Sequence, residues 1–130
     1  MSKETNNNAV ERAGAADLAV ELNSFIGTSC HYQHWLGVCY TDGVKHLADR
    51  AAAHWLIDAI ASWQPQAVKV DREFQVWELI VNPDQSALLT FRTDAGVPPA
   101  ITQKIEYTDF PLPSIEIWVE HGVLLLPSEH

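Results

Sequence analysis

Lysine and arginine disappear from the sequence after Lys104, while Glu106, Asp109, Glu116, Glu120 and Glu129 continue. Across the chain 17 acidic residues stand against 8 basic ones, a formal net charge of −9 that excludes sequence-independent binding to nucleic-acid phosphates. The imbalance builds up late, because beyond Arg72 nine acids meet only Arg92 and Lys104. Cysteine is equally scarce, with Cys30 and Cys39 alone. The opening Met1-Ser2-Lys3-Glu4-Thr5-Asn6-Asn7-Asn8 contains no apolar export segment, which predicts a cytoplasmic address where both cysteines stay as thiols. No apolar run nears the length of a membrane span, so a membrane partner is not expected. Also missing is any motif that joins a nucleophile, a base and an anion site at workable spacing. No catalytic residue, cofactor or metal is therefore expected.

What is present is a folded domain: 47% hydrophobic residues against 19% charged gives a chain of 130 residues enough apolar matter for one core. Residues 1–13, polar and asparagine-rich, read as a flexible tail, and 14–130 as a single α+β domain. Apolar residues at Val44, Leu47, Ala48, Ala51, Ala52, Trp55, Leu56, Ala59, Ile60 and Trp63 recur at steps of three and four. They predict one long central helix, Val44–Trp63, with Asp42 as its cap, Gly43 easing the turn into it and Pro65 ending it. A shorter helix is predicted over Ala15–Ser24, with Gly27 as its stop, followed by a loop Thr28–Trp35 and a strand Leu36–Tyr40. A link over Gln66–Arg72 leads into strands predicted at Glu73–Val81, Ala87–Arg92, Ile101–Tyr107, Ile115–Val119 and Val123–Leu126. The expected fold is an antiparallel sheet of about five strands with the two helices packed on it, and Trp55, Leu56, Ile60 and Leu125 in the core.

Three constellations bear on function. Cys30, His31, His34 and Cys39 are zinc-ligand types within ten residues, but their crowding and the apolar setting of Cys39 favour core thiols and surface imidazoles over a metal site. His54 and Asp58, one helical turn apart, form a possible imidazole–carboxylate pair on a polar strip with His46 and Arg50. Thr28, Tyr32, His34, Trp35, Tyr40 and Asp42 combine flat rings with polar groups, the makings of a small-ligand pocket or a minor enzyme site; a hydrogen-bonded core corner explains the same residues.

The pieces Phe25-Ile26-Gly27-Thr28, Tyr40-Thr41-Asp42-Gly43-Val44-Lys45, Ala53-His54-Trp55-Leu56-Ile57-Asp58-Ala59-Ile60-Ala61, Phe74-Gln75-Val76-Trp77, Lys104-Ile105-Glu106-Tyr107-Thr108-Asp109-Phe110-Pro111-Leu112 and Leu124-Leu125-Leu126-Pro127-Ser128-Glu129 resemble a family of small bacterial proteins. That family also occurs on phages and plasmids and is catalogued only as a domain of unknown function. The resemblance implies a link to mobile elements, whose accessory proteins often bind or inhibit host machinery. Together with the charge it points to a non-enzymatic protein-binding module, an inhibitor of a host nucleic-acid-binding or defence protein. Its acidic surface would be drawn from Glu106, Asp109, Glu116, Trp118 and Glu120. The competing reading makes the acid a solubility device and packs Trp118 under a helix or in a homodimer.

Overall fold

The computed structural model describes residues 17–25, 31–94 and 96–130, so the expected tail, the start of the first helix, Gly27, Thr28 and Cys30 lie outside the described residues. Helix α1 covers 17–23. Leu18 and Leu22 are buried along it, as their spacing predicts. Two short strands follow, β1 (Tyr32–Gln33) and β2 (Cys39–Tyr40), joined as an antiparallel hairpin where a loop and a longer strand were expected.

The long helix is two helices, α2 (Asp42–Arg50) and α3 (His54–Ser62). Ala52 adopts a positive φ of 50°, and the Ala53 amide reaches back to the Ala48 carbonyl at 2.9 Å, closing α2 with a left-handed C-terminal turn. Because alanine carries no marker for such a stop, the apolar stripe runs through it unbroken. The change of direction leaves Leu56 and Ile60 in the core but moves Trp55 to its rim, half-buried. The cap of α2 is Thr41, whose Oγ1 accepts from the Val44 amide at 3.3 Å, and Asp42 sits in the first turn instead. A further helix, α4 (Gln64–Val70), replaces the expected link, with Pro65 in its first turn, where a missing N–H costs nothing.

The later strands fall close to their predicted places: β3 (Phe74–Val81), β4 (Ala87–Arg92), β5 (Ile101–Ile105), β6 (Ser114–Glu120) and β7 (Val123–Leu125). The fold is α+β, but among the described residues the sheet has seven strands in the order β1-β2-β7-β6-β3-β4-β5. It is mixed, since β2 runs parallel to β7 through Cys39 N–H to Gly122 O and Thr41 N–H to Leu124 O, both 3.1 Å. A two-residue strand has no period to read, which is why the antiparallel expectation stops at β3–β7.

Helices α2, α3 and α4 lie on one face of the sheet. Trp77, Leu79, Leu89, Phe91, Ile117, Val119 and Leu124 point to that side and are buried, with Trp77 and Phe91 stacked at 5.2 Å. Two hydrogen-bonded links tie the helices to it: Gln64 and Gln75 exchange amide bonds at 3.0 Å, and Trp63 Nε1–H donates to Gln103 Oε1 at 2.7 Å. No helix among the described residues is long and apolar enough to cross a membrane.

Candidate partner-binding face

On the face opposite α2, α3 and α4 the strand registers set side chains in rows, and Glu78, Ser114 and Glu116 share a cleft there with Leu22 and Asn23 of α1. Glu120 stands beside Phe74; Trp118 beside Val76 and then Arg92; Glu116 beside Glu78, Thr90 and Thr102; Ser114 beside Ile80, Leu88 and Lys104. Alternation along β3 and β6 produces this arrangement, since Trp77 and Ile117 must face the core and their neighbours must not.

The third row holds the unusual chemistry. Glu78 and Glu116 are direct cross-strand partners on one face, a like-charge opposition that destabilises a sheet. Next to Glu78, Thr90 is only 3% exposed and its Oγ1 has no hydrogen-bond partner. Buried hydroxyls are normally satisfied, so this row carries both unanswered charge and an unanswered polar atom.

An aromatic wall closes one end of the face. Trp118 meets Phe74 and His130 edge-on at 5.2 and 5.1 Å, Phe74 meets His130 at 5.8 Å, and His130 Nε2 lies 3.5 Å from a Glu120 oxygen. The indole N–H of Trp118 donates to Glu116 Oε1 at 3.1 Å, drawing that carboxylate against the ring edge. Trp118 is thus half-buried in a ring cluster with acid on both sides. Of the five residues expected to form one acidic surface, Glu116, Trp118 and Glu120 come together here. Glu106 and Asp109 lie past β5, about 14 Å or more away across three strand spacings. The face gains Glu78, Thr90, Phe74 and His130 in their place. Glu78 was legible as the one acid inside the apolar run Phe74–Val81; the other three depend on register.

The residues proposed for a ligand pocket divide into two groups, with Thr28 outside the described residues. Tyr32 and Tyr40 stack on each other at 5.4 Å, with Lys45 Nζ 5.4 Å from the Tyr32 ring centre, while Asp42 accepts from or pairs with His31 at 2.9 Å. The ring faces fill each other rather than framing a slot. At the hairpin turn His34 is 8% exposed and stacks on Trp35, which is 82% exposed. His34 Nδ1 accepts the Leu36 amide at 3.0 Å, so its Nε2 carries the proton donated to Asp58 at 2.7 Å. With both nitrogens engaged, the imidazole has none left to take a proton from a nucleophile.

Asp58 therefore belongs to His34 rather than to His54, which bonds Asp49 at 2.8 Å across the α2–α3 break. Asp49 also holds Lys45, and these two partners keep its carboxyl below the usual range, with Lys45 the larger cause. His46 and Arg50 both reach Glu21 of α1, whose carboxyl is lowered first by His46 and then by Arg50. Cys39 is disulfide-bonded, correcting its reading as a thiol, and Cys30 lies outside the described residues. His31 and His34 are thus bonded to different carboxylates, Asp42 and Asp58, and among the described residues no three His, Cys, Asp or Glu side chains could hold a metal ion.

A family model matches residues 16–130. The chain belongs to DUF6876, a family of unknown function. No curated protein and no solved structure matches it. For this DUF6876 chain, functional inference rests on the geometry of its own surfaces.

Proposed function

We propose that this domain is a protein-binding module whose sheet face opposite α2, α3 and α4 docks a basic segment of a partner protein. The observation that carries the reading is the direct opposition of Glu78 and Glu116 beside Trp118. Like charges held this close weaken the domain and are relieved when a cation enters between them. A lysine or arginine of the partner would meet both carboxylates, lie within reach of the indole and its flanking rings, and place donors near the unanswered Thr90 hydroxyl. Glu120 extends the acidic rim. A nucleic-acid-binding protein presents such a basic groove, and this face would compete with phosphate for it. That partner class agrees with the inhibitor role implied by the family resemblance.

The test uses a partner recovered on the immobilised domain and a synthetic peptide alternating lysine and apolar residues. Complex formation should weaken steadily between about 50 and 300 mM salt, and Glu116→Lys with Glu120→Lys should abolish it while circular dichroism stays unchanged. Salt-independent binding, or a double variant that binds as well as the parent, overturns the proposal.

A further inference from the structure

A sheet has two edges, and here they differ. At one, β1 is two residues long and too short to template another strand. At the other, β5 offers five residues bonded only to β4, with no proline among them. Past Ile105 the chain bends at Glu106 and stays beside the sheet, where the Thr108 amide donates to Gln85 O of the β3–β4 turn at 2.8 Å. Open edges of this length pair with a further strand unless something blocks them. Beside β5, between it and the α2–α3 break, lies a groove of about 510 Å3 lined by Trp55, Gln103, Ile105 and Tyr107 among others. Tyr107 is 72% exposed, a large ring without cover.

We infer that β5 is the contact with a second copy of this chain, paired antiparallel about a two-fold axis through Ile105. Facing residues must lie on the same side of the joined sheet in both copies, which permits only registers with the axis through a residue. Gln103 and Ile105 lie on the helix side and Thr102 and Lys104 on the other, and the same alternation carried one residue beyond the strand would put Glu106 with Lys104. An axis through Lys104 sets ammonium against ammonium, and one through Glu106 sets carboxylate against carboxylate. An axis through Gln103 leaves Lys104 opposite a threonine. The axis through Ile105 sets Lys104 opposite Glu106 of the second copy, twice by symmetry, with isoleucine against isoleucine at the centre. The same register brings Tyr107 opposite Gln103 of the second copy, at the mouth of the groove beside Trp55. Charge, apolar contact and the uncovered ring are all answered by one alignment.

Sedimentation equilibrium of the full chain tests this. The wild type should dimerise, and Lys104→Glu and Glu106→Lys, each folded by circular dichroism, should both raise the dissociation constant at least about tenfold. Mixing the two variants should recover a one-to-one heterodimer, seen by native mass spectrometry, because each reversed charge then meets its opposite. A wild type that stays monomeric up to about 1 mM overturns the inference and leaves the edge to a strand of some other protein. So does a dimer indifferent to both reversals, or two dissociated variants that fail to recombine.

Discussion

Glu129 shows what a single carboxylate organises. It is buried, and its oxygens accept from Thr41 Oγ1–H at 2.6 Å, the Leu126 amide at 2.8 Å and the Gly43 amide at 3.2 Å. A negative group at the first turn of α2 also suits the exposed amides and the positive end of its dipole. This contact explains Gly43 better than the turn it was expected to ease: the residue is helical, and a Cβ there would lie 2.6 Å from Glu129 Oε1 and 2.8 Å from Leu126 Cδ1. Gly43→Ala should therefore destabilise the domain by about 1–3 kcal/mol despite the better helix propensity of alanine. Glu129→Ala should cost about 2–4 kcal/mol by stranding its donors. In a double-mutant cycle followed by urea unfolding, Gly43→Ala should be milder by more than about 0.5 kcal/mol once Glu129 is gone. Strict additivity would mean that the close approach is not what requires glycine. Tyr40-Thr41-Asp42-Gly43 and Ser128-Glu129 are both conspicuous in the sequence, but nothing local says that they meet, because the contact joins positions 86 to 88 apart.

Among the elements, the strands from β3 onward were legible because alternation and turn residues bound them closely; the break at Ala52 was not, because alanine suits a helix, its last turn and a tight turn alike. Its left-handed backbone costs a residue with a Cβ about 1–2 kcal/mol, most of which glycine avoids. Ala52→Gly should consequently be neutral to stabilising by up to about 1 kcal/mol, whereas Ala48→Gly, in the buried helical stretch, should destabilise by at least about 1 kcal/mol. Thermal melts of the two variants give the comparison, and equal losses would refute the turn. The joint between α1 and α2 responds to acid instead. Glu21 titrates below its ordinary 4.5 because His46 and Arg50 hold its anion, so their contribution is complete above that value and vanishes as pH falls through the lowered one. Amide exchange in residues 17–23 should accelerate over that acid range, ahead of exchange in β3 and β4, and Glu21→Gln should remove the pH dependence.

At the scale of the whole molecule, the acidic excess was visible in composition, while its focus on Glu78, Glu116 and Glu120 depends on strand order. The five suspected residues divide between two surfaces because β6 sits inside the sheet and β5 at its edge. Tyr32 and Tyr40 face each other across the β1–β2 hairpin and stack, a contact that depends on register rather than on sequence spacing. The parallel pair β2 and β7 governs something else, the order of events in time. Val123 comes 84 positions after Cys39, whereas β3, β4 and β5 are joined by short turns. Local pairings form fast and distant ones wait on the entropy of closing a long loop. The β3–β4–β5 hairpins should thus pair early, and α2, α3 and α4, threaded between β2 and β3, should gain their full apolar cover only when β7 arrives. During synthesis the helices emerge from the ribosome well before that strand, so newly made chains expose Leu47, Leu56 and Ile60 for as long as translation takes to cover the distance, the interval in which a chaperone would find them.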